Sequence, residues 1–132
     1  MKRQRLSLER HKERGKQMSD FRVLTHKNID YQVANYGIVS PFLLKRDANC
    51  LTVVREDEVQ RAIIFLKECT TPSVRKRFSS YVLKHAAEKY TGLYVGNGAF
   101  IEAALRLGYR VLPVDPISPN ALIYLRLTKN YE

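Results

Sequence analysis

An apolar segment bounded by glycines, YVGNGAFIEAALRLGY at residues 94–109, constrains the fold more than any other part of the chain. Gly96 and Gly98 allow a tight turn, and Asn97 between them can accept a hydrogen bond from a free backbone N–H of a first helical turn. Gly108 can end the helix in the left-handed conformation. The segment therefore predicts a helix of about three turns over residues 97–107.

The same Gly-Asn-Gly turn invites comparison with a phosphate-binding loop, but its surroundings differ from one. The dinucleotide-binding fingerprint needs a third glycine where this chain has Ile101, and it follows a long apolar strand, whereas only three residues, 93–95, precede this turn. No Gly-Lys-Ser/Thr sequence follows the turn either. We therefore expect a helix cap here, and no nucleotide cofactor.

The residues before this segment predict strands first and helices later. β-Branched and aromatic residues predict two or three short strands within residues 21–54, with a loop at 40–49. Acids in a first turn and an apolar stripe predict a helix from Glu56. Pro72 after Thr71, and a glycine at position 92, predict another helix over residues 71–92.

Two β-like runs, residues 109–114 and 121–127, flank the turn-rich loop DPISPN and predict a C-terminal hairpin. The predicted fold is thus α+β: short N-terminal strands, then three helices and a C-terminal β-hairpin, in a single domain over residues 20–132. Its part at 56–128, with three helices and a hairpin in that order, resembles the winged helix-turn-helix family of DNA-binding domains.

That resemblance implies a third helix in the major groove and a hairpin wing against the flanking backbone. Asn97, Gly98, Glu102 and Arg106 would then face the bases, and the loop at 115–120 would form the wing tip. The loop departs from this role, because it has no basic residue and carries an acid that a phosphate would repel. A core role for the third helix is the alternative.

The charge balance favours a polyanionic partner. The chain has 23 Lys and Arg against 13 Asp and Glu, a net charge of +10. Residues 1–19 predict a flexible basic arm, because they hold almost no large apolar side chain. The predicted helix at 71–92 carries five basic residues and one acid. The predicted nucleic-acid contacts are Arg75, Lys76, Arg77, Ser79, Ser80, Lys84, Lys89, Asn97, Arg106, Arg3 and Arg5.

No arrangement of residues predicts an enzyme. His85 and Glu88 have a spacing that can serve a metal or a general base, but a metal needs more ligands, and a core histidine is the more common case. Cys50 and Cys69 do not make a disulfide framework, and no apolar run is long enough to span a membrane. We expect a cytoplasmic protein without catalytic residues, metal or cofactor.

Three functions remain open at this point. The first is binding of duplex DNA, as a small transcriptional regulator, with specificity that a homodimer could supply. The second is a protein-interaction module or inhibitor that docks on a host complex, and the third is an RNA-binding protein. Residues 79–109 are similar to small proteins carried by phages and plasmids, which implies a mobile-element setting.

Overall fold

Two antiparallel three-stranded sheets and four α-helices make up residues 21–131, the part of the chain that the computed structural model describes. The protein is therefore mixed α+β, as predicted. The basic arm expected over residues 1–19, with its candidate contacts Arg3 and Arg5, lies outside the described residues.

The first sheet contains the strands predicted near the N-terminus. They are β1 (Arg22–His26), β2 (Ile29–Ala34) and β3 (Gly37–Val39), in the order β1-β2-β3. Lys27 and Asn28 join β1 to β2, and both have a positive φ. Two such residues form the turn whose twist matches that of an antiparallel hairpin.

The loop predicted at residues 40–49 is instead largely helical. Helix α1 spans Pro41–Arg46, and a 3-10 turn follows at Ala48–Cys50. The Ser40 hydroxyl caps α1 by accepting a hydrogen bond from the backbone N–H of Leu43. A proline in its first turn and a buried leucine both favour this short helix. The neighbouring turn residues led to the prediction of a loop instead.

Helix α2 spans Glu56–Cys69, as its acidic first turn predicted. The prediction of one long helix over residues 71–92 is wrong. Its first part is strand β4 (Thr70–Ser79), and only its second part is helical, as α3 (Ser80–Thr91). β4 forms because it pairs with a strand near the C-terminus. Pairing with a distant segment overrides a local helix start signal.

Helix α4 (Asn97–Arg106) and the strands β5 (Val111–Pro113) and β6 (Ala121–Leu127) complete the fold before a last 3-10 turn at Lys129–Tyr131. Gly108 has a φ of +83° and ends the helical region in the predicted left-handed conformation. The second sheet has the order β4-β6-β5. The predicted C-terminal hairpin is therefore present, with β4 added to its edge.

Helix α4 lies at the centre of the molecule. It packs on α2 and α3 and also against β2 and β3 of the first sheet. Phe100 and Ile101 are fully buried in one core with Ile38 of the first sheet and Ile123 of the second. Gly98 approaches β2 so closely that its N–H donates to the carbonyl of Asn35 at 3.0 Å. The first sheet thus covers the helix that the winged-helix resemblance would place in a DNA groove.

Candidate nucleic-acid interface

A protruding bulge in β4 carries two of the predicted contacts, Arg75 and Lys76, and a third, Arg77, directly follows it. β4 pairs with β6 up to Pro72 and again from Arg77. The partners of these two residues on β6, Leu125 and Tyr124, are adjacent, so residues 73–76 have no partner in the ladder. The Ser73 hydroxyl holds the bulge by accepting hydrogen bonds from the backbone N–H groups of Arg75 and Lys76, at 3.2 and 3.0 Å. Arg75, Lys76 and Arg77 are all exposed, as expected, but on a strand and not on a helix.

The bulge adjoins a face of the second sheet that combines arginine with tyrosine. Ile123 and Leu125 of β6 point into the core, so Tyr124 and Arg126 point to the opposite side. Arg77 lies directly across from Tyr124 in the ladder, with its Cζ 5.9 Å from the centre of the tyrosine ring. The Cζ of Arg110 lies 4.7 Å from the same ring centre. We call Arg75, Lys76, Arg77, Arg110, Tyr124 and Arg126 the basic face.

The cations of the basic face differ from most other arginines of residues 21–131 in forming no ion pair with the described residues. None of them forms an ion pair with the described residues, whereas Arg22, Arg55, Arg61 and Arg106 all do. The three strands β4, β5 and β6 contain no Asp or Glu at all. A set of cations without ion-pair partners, on strands that contain no acid, produces a positive potential that attracts an anion.

The predicted base-facing residues of α4 have other partners. Asn97 is 7% exposed, and its side-chain N–H group donates to the carbonyls of Tyr36 and Pro119 and to the side-chain oxygen of Asn120, so it does not cap the helix as predicted. Arg106 donates to two carboxylates, those of Glu56 and Glu102. These contacts favour the core role of α4 over a role in the major groove.

The two serines predicted as phosphate contacts serve the fold. The Ser79 hydroxyl caps α3 by accepting a hydrogen bond from the backbone N–H of Tyr81 at 3.2 Å. Ser80 is fully buried, and its hydroxyl accepts a hydrogen bond from the backbone N–H of Ala121 at 3.0 Å. Burial removes Ser80 from contact with a phosphate.

Lys84 and Lys89 have opposite environments on α3. Lys89 is exposed, as a phosphate contact would require. Lys84 is only 6% exposed, with its Nζ 3.0 Å from an oxygen of Glu88 and 4.6 Å from the ring centre of Tyr94. Although burial raises the pKa of Glu88, the hydrogen bonds from Lys84 and from the backbone N–H of Val95 outweigh it and hold that pKa below its usual value. Lys84 is therefore an internal cation, and not part of a phosphate track.

Beside Lys84 lies a cavity of about 360 Å³ at the surface. Its lining, apart from Lys84 and Pro119, consists of tyrosines and asparagines: Tyr36, Tyr81, Tyr94, Asn35, Asn97 and Asn120. All three tyrosines are more than 40% exposed. We call this feature the tyrosine cavity.

His85, predicted as a core residue, is exposed instead. Its Nδ1 lies 3.0 Å from a Glu88 oxygen, and its ring makes an edge contact with Tyr81. Within residues 21–131, no three His, Cys, Asp or Glu side chains are grouped closely enough to hold a metal ion. Cys50 and Cys69 are buried free thiols. None of the described helices combines the length and apolar character that crossing a membrane requires.

Sequence reasoning missed Arg110, Tyr124 and Arg126, which form half of the basic face. The signal was present in β6, where Tyr124 and Arg126 alternate with apolar residues that face the core. That alternation indicates that Tyr124 and Arg126 lie on the outer face of a strand. It does not show that the neighbouring strand in the sheet is β4, which carries Arg77.

Comparison of the chain with models of protein families, with curated proteins and with solved structures finds no match.

Proposed function

We propose that this protein binds nucleic acid through the basic face, mainly by contacts to phosphates. One observation carries the proposal: the exposed cations around Tyr124 have no acidic partner among the described residues, and no acid lies on the three strands that present them. Arginine guanidinium groups bind phosphate oxygens in a bidentate manner, and an aromatic ring among them can contact a sugar or base.

We also propose that residues 56–128 are a winged-helix-like unit that binds nucleic acid through the second sheet. In support of this, α2, α3 and α4 precede the hairpin of β5 and β6 in that order. The buried position of Asn97 and the ion pairs of Arg106 argue against insertion of α4 into a groove. Contacts from the sheet to the backbone would give affinity with little choice of sequence.

The test is a binding titration with duplex DNA, single-stranded DNA and duplex RNA at three salt concentrations. We expect affinity to fall steeply with salt for every ligand that binds. Arg77→Ala and Arg110→Ala should each weaken binding and lower the slope of log affinity against log salt by about 0.7 to 0.9, the share of one phosphate contact.

The matched control is Arg46→Ala. Arg46 is exposed on α1, which packs against β3 of the first sheet. It removes the same charge from a different surface. Equal losses from Arg46→Ala and Arg77→Ala would mean that only net charge matters, and no binding to any ligand at low salt would overturn the proposal.

A further inference from the structure

The tyrosine cavity lies where the basic face continues beyond the ends of its strands. On β6, residues two apart share a face, so Tyr124 is followed along the row by Leu122 and then by Asn120. The row on β4 runs from Arg77 to Ser79 and reaches Tyr81 in the first turn of α3. Asn120 and Tyr81 both line the cavity. Each lies four residues along the chain from a residue of the basic face, Tyr124 or Arg77, and four residues of a strand span roughly 13 Å.

The walls of the cavity are suited to a planar ring. Its volume of about 360 Å³ is within the range of small-molecule sites. The buried ammonium of Lys84 lies 4.6 Å from the ring centre of Tyr94 and 5.6 Å from that of Tyr81, so one side chain contacts both rings and helps to fix them. Half-exposed aromatic rings gathered around a cavity are the usual means of stacking a base.

The polar lining has unused hydrogen-bonding capacity. The side-chain nitrogen of Asn97 lies within 3.3 Å of three acceptors, whereas its side-chain oxygen and that of Asn35 are buried and have no partner among the described residues. Asn120 accepts a hydrogen bond from Asn97, and its own amide N–H group donates to none of the described residues. The amide N–H group of Asn120 can donate to an acceptor atom on the edge of a base.

We propose that the tyrosine cavity binds one unpaired base of a nucleic-acid strand whose phosphates lie on the basic face. This inference rests on the proposed function, since the basic face is what brings the strand to the cavity. In a fully paired duplex the bases are stacked inside the helix, so the cavity favours a single strand or an unpaired nucleotide.

The test compares two ten-residue deoxyribose-phosphate strands of equal charge. One is abasic throughout, and the other carries a single adenine near its middle. The phosphates engage the basic face equally in both, so any difference in affinity comes from the base. We expect the strand with adenine to bind about tenfold more tightly, the effect of stacking one base on tyrosine.

Substitutions in the protein test whether the difference in affinity between the two strands arises in the cavity. Tyr94→Ala should remove the advantage of the adenine strand, and Tyr94→Phe, which keeps the ring, should preserve it. Leu93→Ala is the matched control, because Leu93 is an exposed neighbour that does not line the cavity. Arg110→Ala should weaken both strands by the same factor and leave their ratio unchanged.

The outcomes separate the two proposals. Equal binding of both strands, with losses for each in Arg110→Ala, would overturn the inference about the cavity and leave the proposed function standing. No binding of either strand at low salt would overturn both. Tight binding of free adenosine monophosphate, with no gain when the adenine is part of a strand, would make the cavity a mononucleotide site and contradict the strand proposal.

Discussion

Arg106 lies between two carboxylates, and this makes the stability of the protein depend on acid pH. Its guanidinium donates to both oxygens of Glu56 at 2.8 Å and to Glu102 at 2.8 Å. These hydrogen bonds from Arg106 lower the pKa of Glu56 below the ordinary value of 4.5. A lowered folded-state pKa stabilises the fold at pH values above 4.5, and that contribution is lost as the pH falls through the lowered value.

Glu56→Gln should therefore lower the free energy of unfolding at pH 7 and change it little at low pH. The measurement is urea denaturation of both proteins at pH 7, 5, 4 and 3. We expect the two stability curves to converge as the pH falls through the lowered pKa of Glu56. Curves that stay parallel down to pH 3 would show that the carboxylate charge is not what Arg106 recognises.

Single residues differ in how far the sequence predicts their roles. Gly92 and Gly108 were correctly predicted as helix ends, because a left-handed residue after a helix is a local requirement. Exposure of Arg75, Lys76 and Arg77 was also predictable from their charge. The burial of Lys84 was not, since it depends on Tyr94, which the chain brings over the ammonium from beyond the end of α3.

The contact between α4 and β2 rests on the absence of a side chain at position 98. A Cβ built on Gly98 would lie 1.4 Å from the carbonyl oxygen of Ala34, which is backbone and cannot move aside freely. Gly98→Ala should therefore force the helix off the first sheet and lower the free energy of unfolding by about 3 kcal/mol. Chemical denaturation followed by circular dichroism measures the change.

Gly108→Ala is the control for this prediction. Position 108 has a positive φ, unlike position 98, and a Cβ there would meet nothing within 4 Å, so only the backbone conformation is penalised. We expect a loss of about 1 kcal/mol. Equal losses for the two variants would mean that α4 and β2 do not need their close approach.

Elements defined by local signals were predicted from sequence, and elements defined by distant partners were not. Helix α2 has acids in its first turn and an apolar stripe, and both signals lie within its own residues. Strand β4 exists because Thr70–Pro72 and Arg77–Ser79 pair with β6, a segment more than forty residues further along the chain. A proline after a threonine fits a helix start as well as a strand edge, so position 72 could not decide between them.

The arrangement of the two sheets around α4 decides which surfaces remain available for a partner. The N-terminal strands were predicted, but nothing in their residues showed that they would cover the third helix of the predicted winged-helix order. Arg22 of β1 completes this cover with a bidentate pair to Glu102, at 2.7 and 3.0 Å. With α4 covered, the basic face on the outer side of the second sheet remains exposed to a partner.

Stability and binding should therefore be separable across the whole molecule. Arg22→Ala removes a partner from a Glu102 side chain that is only 9% exposed, and we expect a loss of about 1 kcal/mol in the free energy of unfolding with unchanged nucleic-acid affinity. Arg126→Ala removes an exposed arginine of the basic face that forms no ion pair with the described residues. We expect it to weaken nucleic-acid binding several-fold without a change in stability.

Urea denaturation and a binding titration on each variant make the comparison, with the wild-type chain beside them. The two effects should fall on different variants, because Arg22 holds the first sheet to α4 and Arg126 points away from the core. If Arg22→Ala weakened binding while its folded fraction stayed complete, the interface would have to include the first sheet. A loss of stability in Arg126→Ala would instead assign that arginine to the fold.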